Sequence, residues 1–224
     1  MRKAQLALIG ALGACLFLVG LALDIAWLRL LAKPWPVLAM AAWVWPTGDR
    51  HIAMGLIFGA FGDICLAIPG AFIAGMLAFA IGHGLYAKAF FSWHRSPSIS
   101  LLIPVVVYLF VAVALMLPTT GEMSIPVSIY MSIIGLMIWR AAALAADESS
   151  TGLMRWAPLI GALLFGFSDT LIGINKFVTA LPGVAYPIIL LYWGGQAFIA
   201  AAASRRVAGE RAIPSPAPSD QGTQ

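Results

Sequence analysis

Long apolar stretches separated by short polar connectors follow one another along almost the whole chain. Eight of them come close to the roughly 20 residues that a helix needs to cross a bilayer. They cover residues 4–23, 30–46, 51–68, 71–92, 98–117, 124–145, 156–175 and 183–203. The pattern therefore predicts an all-α membrane protein, with residues 1–206 as a single domain of eight transmembrane helices. Residues 207–224 are polar and contain several prolines, and we expect them to form a disordered C-terminal tail.

The composition agrees with a membrane protein. Hydrophobic residues make up 62% of the chain and charged residues 10%, whereas a soluble domain carries about 25% charged residues. We expect an integral membrane protein, surrounded by membrane lipids, in the inner membrane of a bacterium. The formal net charge is +4, but the basic residues are spread over short connectors, so we expect no nucleic-acid partner. Association into a homo-oligomer stays open.

The basic residues predict the orientation of the helices, because cytoplasmic connectors collect Lys and Arg. Those on the side of the N-terminus are Arg2, Lys3, Arg50, Arg95, Arg140, Arg155, Arg205, Arg206 and Arg211. Those on the opposite side are Arg29, Lys33 and Lys176. This asymmetry predicts that both termini are cytoplasmic. The first apolar stretch is long and lacks a convincing cleavage site before Asp24, so we expect a retained helix rather than a signal peptide.

Two aspartates lie deep inside apolar spans, where a carboxylate facing lipid is costly. Asp63 occurs in the segment FGDICL and Asp169 in FSDTLI. The two spans run in the same direction, and at about 1.5 Å per residue both carboxylates lie roughly 18–20 Å from the cytoplasmic boundary. His83 and Gln196 have matching depths in the fourth and eighth spans. These matches indicate a parallel repeat of four plus four helices, with a site between the two halves.

Two carboxyl groups buried together suit acid–base chemistry, because one stays protonated while the other is ionised. Asp63 and Asp169 are therefore candidate catalytic residues, although each would also be explained by accepting hydrogen bonds that fix helix packing. His83 is a third candidate, as a proton shuttle or a phosphate ligand; the alternative is an imidazole bonded to a backbone carbonyl. We expect no metal, because the three histidines show no ligand spacing such as His-x-x-x-His.

Further polar residues near these positions are candidates for binding a substrate. Lys33, at the outer edge of the second span, is suited to an anionic headgroup. For Lys176 we expect only a lysine that extends its ammonium to the membrane interface. Gly55, Gly59 and Gly62 predict that the third span approaches a neighbouring helix closely. The candidate substrate-binding residues are Lys33, Tyr86, Ser168, Asn175, Tyr192 and Gln196.

The order and spacing of several short motifs resemble a known family. The motifs are Ala32-Lys33-Pro34, Phe61-Gly62-Asp63, Leu66, Gly75, Phe79, Gly82-His83, Tyr86, Gly161-Ala162, Phe165, Ser168-Asp169, Phe177, Tyr192 and Gln196. Together they are similar to the YhhN-like lysoplasmalogenases, which are small membrane proteins with eight spans. The resemblance covers residues 30–90 and 155–200, and between them only the hydropathy matches.

The resemblance implies hydrolysis of the vinyl ether bond of a lysoplasmalogen, giving a fatty aldehyde and glycerophosphoethanolamine or glycerophosphocholine. In this interpretation Asp63 and Asp169 share the acid and base roles, as two carboxylates do in a glycosidase. His83 would assist them, Lys33 would hold the phosphate of the lipid substrate, and no cofactor would be needed. Two alternatives stay open: a proton-coupled transporter that uses Asp63, Asp169 and His83 as a relay, and a lipid-binding protein without turnover.

Overall fold

The computed structural model describes residues 3–47, 49–96, 98–147 and 155–212, and over these ranges the chain is helical, without strands. The helices are α1 Lys3–Ala22, α2 Ala26–Ala32, α3 Trp35–Val44, α4 Arg50–Ala67, α5 Phe72–Trp93, α6 Leu102–Thr120, α7 Ser124–Ala145, α8 Ala157–Gly173 and α9 Ala185–Ala212. Short 3-10 turns lie at Trp45–Thr47 and Gly121–Met123, and a single π-helical turn, Ile174–Val178, extends α8.

Six stretches of these helices are long and apolar enough to cross a membrane. They are Lys3–Ala22, Arg50–Ala67, Phe72–Trp93, Leu102–Ala145, Ala157–Val178 and Ala185–Arg205. The prediction of an all-α integral membrane protein is therefore confirmed. The fourth stretch contains both α6 and α7, which pack against each other because the chain reverses at Gly121, where φ is +55°.

The second predicted span is interrupted. It consists of the end of α2 and of α3, separated at Lys33 and Pro34. Pro34 and Pro36 lack the backbone N–H that would bond the carbonyls four residues earlier, and this ends the first helix. The interruption matters for the site, because it places Lys33 at the junction of two short helices, beside the middle of the bundle.

Two helix pairs make the most extensive contacts, α4 with α5 and α8 with α9. Each pair crosses at two glycines. A Cβ on Gly55 or Gly82 would come within 3.0 Å of the other residue's carbonyl oxygen, and one on Gly161 or Gly195 within 2.7 or 2.8 Å. The close approach predicted for the glycines of the third span is thus confirmed at Gly55. These crossings hold the helices that carry the two aspartates firmly in place.

The last helix extends further than predicted. α9 ends at Ala212, so it includes the first six residues of the segment for which we expected a disordered tail. Residues 213–224, the rest of that segment, lie outside the described part of the chain.

Candidate functional site

Asp63 forms a buried ion pair with Lys33. The aspartate lies near the end of α4 and is 1% exposed. The Lys33 Nζ, at the break between α2 and α3, is 3.0 Å from the Asp63 Oδ1. We predicted that Lys33 holds a phosphate, but its ammonium is instead directed at a carboxylate inside the bundle.

Asp169 has different partners. The Tyr130 hydroxyl, on α7, donates a hydrogen bond of 2.5 Å to the Asp169 Oδ2. The His83 Nε2 lies 3.9 Å from the same oxygen, which is beyond hydrogen-bond distance. Asp63 and Lys33 are close enough to Asp169 to interact with it electrostatically. The two aspartates therefore face one common region, as their matched depth predicted.

Aromatic rings enclose His83. The centroid of its imidazole is 4.3 Å from that of Phe165, 5.7 Å from that of Tyr130 and 6.3 Å from that of Phe79. The side chain is 1% exposed. Among the described residues, neither ring nitrogen has a hydrogen-bond partner, so the bond to a backbone carbonyl that we considered for this residue does not form. Both nitrogens remain able to bind a polar group of another molecule.

Tyr86, Tyr192 and Gln196 form a polar cluster between α5 and α9. The Tyr86 hydroxyl donates a hydrogen bond of 2.6 Å to the Gln196 Oε1. The Tyr192 hydroxyl lies next to the Asp63 carboxylate, but it and the Gln196 Nε2 have no well-formed hydrogen bond within the described part of the chain. There is room for these groups because α4 carries glycine at the facing position: a Cβ on Gly59 would be 2.9 Å from the Gln196 Nε2.

The remaining two candidates bond to the backbone. The Ser168 hydroxyl donates a hydrogen bond of 3.0 Å to the Ile188 carbonyl and so links α8 to α9. The Asn175 Oδ1 accepts a hydrogen bond of 2.8 Å from the Leu181 N–H and orders the connection before α9. Ser168 is fully buried, whereas Asn175 is exposed.

Two adjoining cavities reach this region. The first, here named the inner cavity, has a volume of about 40 Å³. It is lined by Leu66, Phe72, Met76, Phe79, Met116, Val127, Tyr130, Met131, Asp169, Ile172, Gly173 and Phe177. The second, here named the vestibule, has a volume of about 470 Å³. It is lined by Phe17, Lys33, Leu66, Phe72, Ile172, Asn175, Lys176, Ala185, Ile188 and Ile189.

The cavities give a bound molecule access to Asp169 directly and to Asp63 by way of Lys33. Asp169 lines the inner cavity, and Lys33, the partner of Asp63, lines the vestibule. An amphiphile that occupied both cavities would therefore contact Asp169 and Lys33. Within the described ranges, no group of three or more His, Cys, Asp or Glu side chains is arranged to hold a metal ion.

Sequence reasoning missed Tyr130. Several serines lie on the same span, and a tyrosine among them gives no sign of a partner 39 residues away. The one available signal was its position within a membrane span, where a buried hydroxyl needs a hydrogen-bond partner.

Comparisons with known proteins identify the family of the chain. A family model described as the YhhN family matches residues 28–203. The lysoplasmalogenase TMEM86B of Homo sapiens is 34% identical over 187 residues, which cover 81% of this chain and 78% of the human protein. The lysoplasmalogenase TMEM86A of Bos taurus is 37% identical over 164 residues, covering 70% and 66%.

A bacterial relative is also similar. A lysoplasmalogenase of Mycobacterium tuberculosis is 29% identical over 177 residues, which cover 74% of this chain and 65% of the relative. No solved structure matches the chain. The family resemblance predicted from the motifs is confirmed by these matches.

Proposed function

Because the chain belongs to the YhhN family, we propose that it is a hydrolase of the lysoplasmalogenase type, which cleaves the vinyl ether bond of lysoplasmalogens. The products are a fatty aldehyde and glycerophosphoethanolamine or glycerophosphocholine. The observation that carries the proposal is the pair of buried aspartates, Asp63 and Asp169, which have different partners. Asp169 lines the inner cavity, and Lys33, the partner of Asp63, lines the vestibule. The relatives named lysoplasmalogenase support the same substrate.

The two aspartates take different roles because their partners differ. The Lys33 ammonium, 3.0 Å from Asp63, favours an ionised carboxylate there. No lysine or arginine of the described residues forms an ion pair with Asp169, which instead accepts the Tyr130 hydroxyl on Oδ2. We therefore assign Asp169 as the acid, with the transferable proton on Oδ1, and Asp63 as the base.

The reaction then proceeds in three steps, by analogy with two-carboxylate glycoside hydrolysis. Asp169 protonates the alkenyl carbon that does not carry oxygen, and a lone pair of the ether oxygen forms the oxocarbenium ion. The Asp63 carboxylate stabilises this cation and takes a proton from the water that attacks it. The hemiacetal collapses: its hydroxyl returns a proton to Asp169, and the glycerol oxygen leaves with the proton from Asp63. Both carboxyl groups are restored.

Buried polar groups that have no hydrogen-bond partner among the described residues hold the reacting molecules. The Tyr192 hydroxyl, next to Asp63, and the Gln196 Nε2, beside Gly59, position the water and the ether oxygen, and Tyr86 fixes the Gln196 amide. His83, 3.9 Å from Asp169, provides a further bond to the water. Ser168 and Asn175 shape the site through their backbone bonds.

The membrane architecture of this hydrolase has eight spans. α6 and α7 are separate spans, and α2 with α3 forms an interrupted one. The two helix pairs that cross at glycines support a parallel repeat of four plus four, because corresponding glycines in the two pairs lie at the same distance along the sequence from corresponding polar residues. Gly55 precedes Asp63 by as many residues as Gly161 precedes Asp169, and Gly82 and Gly195 directly precede His83 and Gln196. The protein lies in the inner membrane of a bacterium, with both termini on the cytoplasmic side.

Aldehyde release from lysoplasmenylethanolamine by the purified protein in detergent tests the function. We expect turnover by the wild type and a loss of about 100-fold or more in Asp63→Asn and Asp169→Asn, as is typical when an acid or base is removed. Asp24→Asn is the control, because Asp24 is exposed and asparagine tolerates its φ of +54°.

Other results would contradict the proposal. Turnover that persists in both site variants contradicts the two-carboxylate mechanism. A wild type that is inactive on every alkenyl lipid, but takes up an amphiphile into liposomes in a proton-dependent way, indicates a transporter instead.

The proposed chemistry needs no metal or other cofactor, because protein carboxyl groups supply the acid and the base. Incubation with EDTA should therefore leave the rate of aldehyde release unchanged. A rate that falls with EDTA and recovers on addition of a divalent cation would contradict this part of the proposal.

A further inference from the structure

We propose that the substrate lies across the two cavities in a single orientation, with its alkenyl chain in the inner cavity and its phosphate in the vestibule, bound by Lys176. This inference rests on the proposed function and assigns the part of the lipid that each cavity recognises.

The inner cavity suits a hydrocarbon chain. Apart from Asp169 and Tyr130, its lining is apolar. At about 40 Å³ it holds only a short piece of chain in this conformation. Three of the lining residues, Met76, Met116 and Met131, are methionines, whose unbranched and flexible side chains can rearrange around an apolar ligand. The cavity is therefore able to widen along the chain.

The vestibule suits a phosphate. Its two cations are Lys33 and Lys176, and Lys33 is already paired with Asp63. Within the described part of the chain no carboxylate pairs with Lys176, whose Nζ lies 4.3 Å from the centroid of the Phe72 ring. That contact holds the ammonium at the wall of the vestibule and leaves its charge without an anion. From the sequence we expected Lys176 only to extend its ammonium to the membrane interface. The proposal gives this ammonium a ligand, the phosphate of the substrate.

The junction of the cavities suits the bond that is cleaved. Both cavities share Leu66, Phe72 and Ile172 as lining residues. In a lysoplasmalogen the vinyl ether joins the chain to the glycerol that carries the phosphate. With the chain in the inner cavity and the phosphate in the vestibule, the vinyl ether lies at this junction. Asp169 is then on one side of it, and the Lys33–Asp63 pair on the other.

The headgroup side is tested with Lys176→Met. We expect KM for lysoplasmenylethanolamine to rise about three- to tenfold, the effect of losing one charged contact near solvent, with kcat nearly unchanged. KM for an alkenylglycerol without phosphate should not change. The matched control is Lys88→Met, because Lys88 is an exposed lysine that lines neither cavity. An unchanged KM for the phospholipid, or an equal rise for both substrates, overturns this assignment.

The chain side is tested with Met116→Ala, which enlarges the inner cavity. In a series of alkenyl chain lengths, we expect the chain with the highest kcat/KM to become longer. Met137→Ala is the control, since Met137 is a fully buried methionine outside the lining of the inner cavity. If Met116→Ala does not fold, Met131→Ala provides the same test. An unchanged length profile in the folded variant, or the same change in Met137→Ala, overturns the assignment.

These experiments separate the orientation from the function itself. Wild-type turnover with unchanged preferences in the variants rejects only the orientation. A wild type without turnover on any alkenyl lipid rejects the proposed function and the orientation with it.

Discussion

The Lys33–Asp63 ion pair couples the stability of the bundle to its site, because removal of one partner leaves the other charge buried and unpaired. We expect Lys33→Met to destabilise the protein by about 3–5 kcal/mol, seen as a lower melting temperature in detergent. The control is Arg29→Met, which removes the ion pair between Arg29 and Asp24. Because Asp24 is exposed, the melting temperature should change little.

The double variant distinguishes charge from packing. Adding Asp63→Asn to Lys33→Met removes the unpaired carboxylate, so much of the lost stability should return, while aldehyde release is reduced at least as much as in Asp63→Asn. If the double variant is as unstable as Lys33→Met alone, the loss comes from packing of the lysine side chain and not from the buried charge.

The Tyr130 hydroxyl positions Asp169 by a single short hydrogen bond. In Tyr130→Phe the ring stays in place, but the acid is free to rotate and to carry its proton on either oxygen. We expect kcat to fall about 10- to 100-fold, with KM and melting temperature nearly unchanged. Tyr186→Phe, at a partly exposed tyrosine of α9, is the control. A rise in KM at constant kcat would show that Tyr130 binds substrate instead.

Residue chemistry in a membrane span explains which polar residues the sequence could place together. Asp63, Asp169 and His83 were predicted to lie together because charged or polar groups inside a bilayer are costly and face the interior. The partner of each was not predictable. Lys33 lies at the edge of the predicted second span, where a lysine usually extends to solvent, and only the break between α2 and α3 directs it to Asp63. The ion pair therefore depends on the break between α2 and α3 and on how the two short helices pack, which the sequence pattern does not specify.

At the scale of helices, close crossings at glycine determine how α8 meets α9. A Cβ on Gly195 would lie 2.8 Å from the Gly161 carbonyl oxygen and 3.1 Å from the Phe165 nitrogen, and neither backbone atom can move easily. We expect Gly195→Ala to lower stability by about 1–3 kcal/mol, measured as thermal unfolding in detergent.

The adjacent glycine provides a matched control. A Cβ on Gly194 would meet only the Leu164 Cδ1, at 3.5 Å, which is an ordinary contact. Gly194→Ala should therefore be neutral or slightly stabilising, because alanine favours the helix. Equal destabilisation by both substitutions would mean that helix crossing at Gly195 is not the cause.

Hydropathy identifies helices well but does not identify their neighbours. The apolar pattern located most of the helices to within a few residues, but it predicted the second span as one helix, whereas the structure divides it at Lys33 and Pro34. Nothing in the apolar pattern specifies that α5 lies beside α7, or that Tyr86 of α5 bonds Gln196 of α9. In a span that is apolar on all sides, periodicity gives no direction for the buried face, and only rare polar and small residues do.

For the whole molecule, the site lies between the two halves of the proposed repeat. Asp63 of the first half is next to Tyr192 of the second, and Asp169 of the second half is near His83 of the first. Each half therefore supplies one carboxylate and a polar neighbour for the carboxylate of the other. Such an arrangement explains why matched depth along the sequence anticipated proximity in the bundle.

The proposed orientation in the membrane places the vestibule at the periplasmic end, because its lining residues Asn175 and Lys176 follow α8 at the end of a span remote from the N-terminus. Cysteine labelling tests this, with Cys15 and Cys65 replaced by alanine. Thr179→Cys, exposed before α9, and Ser100→Cys, exposed before α6, lie on opposite sides in this topology. A membrane-impermeant maleimide should label Thr179→Cys in intact cells, and Ser100→Cys only after permeabilisation. The reverse pattern would place both termini outside the cytoplasm and require substrate to enter from the cytoplasmic leaflet.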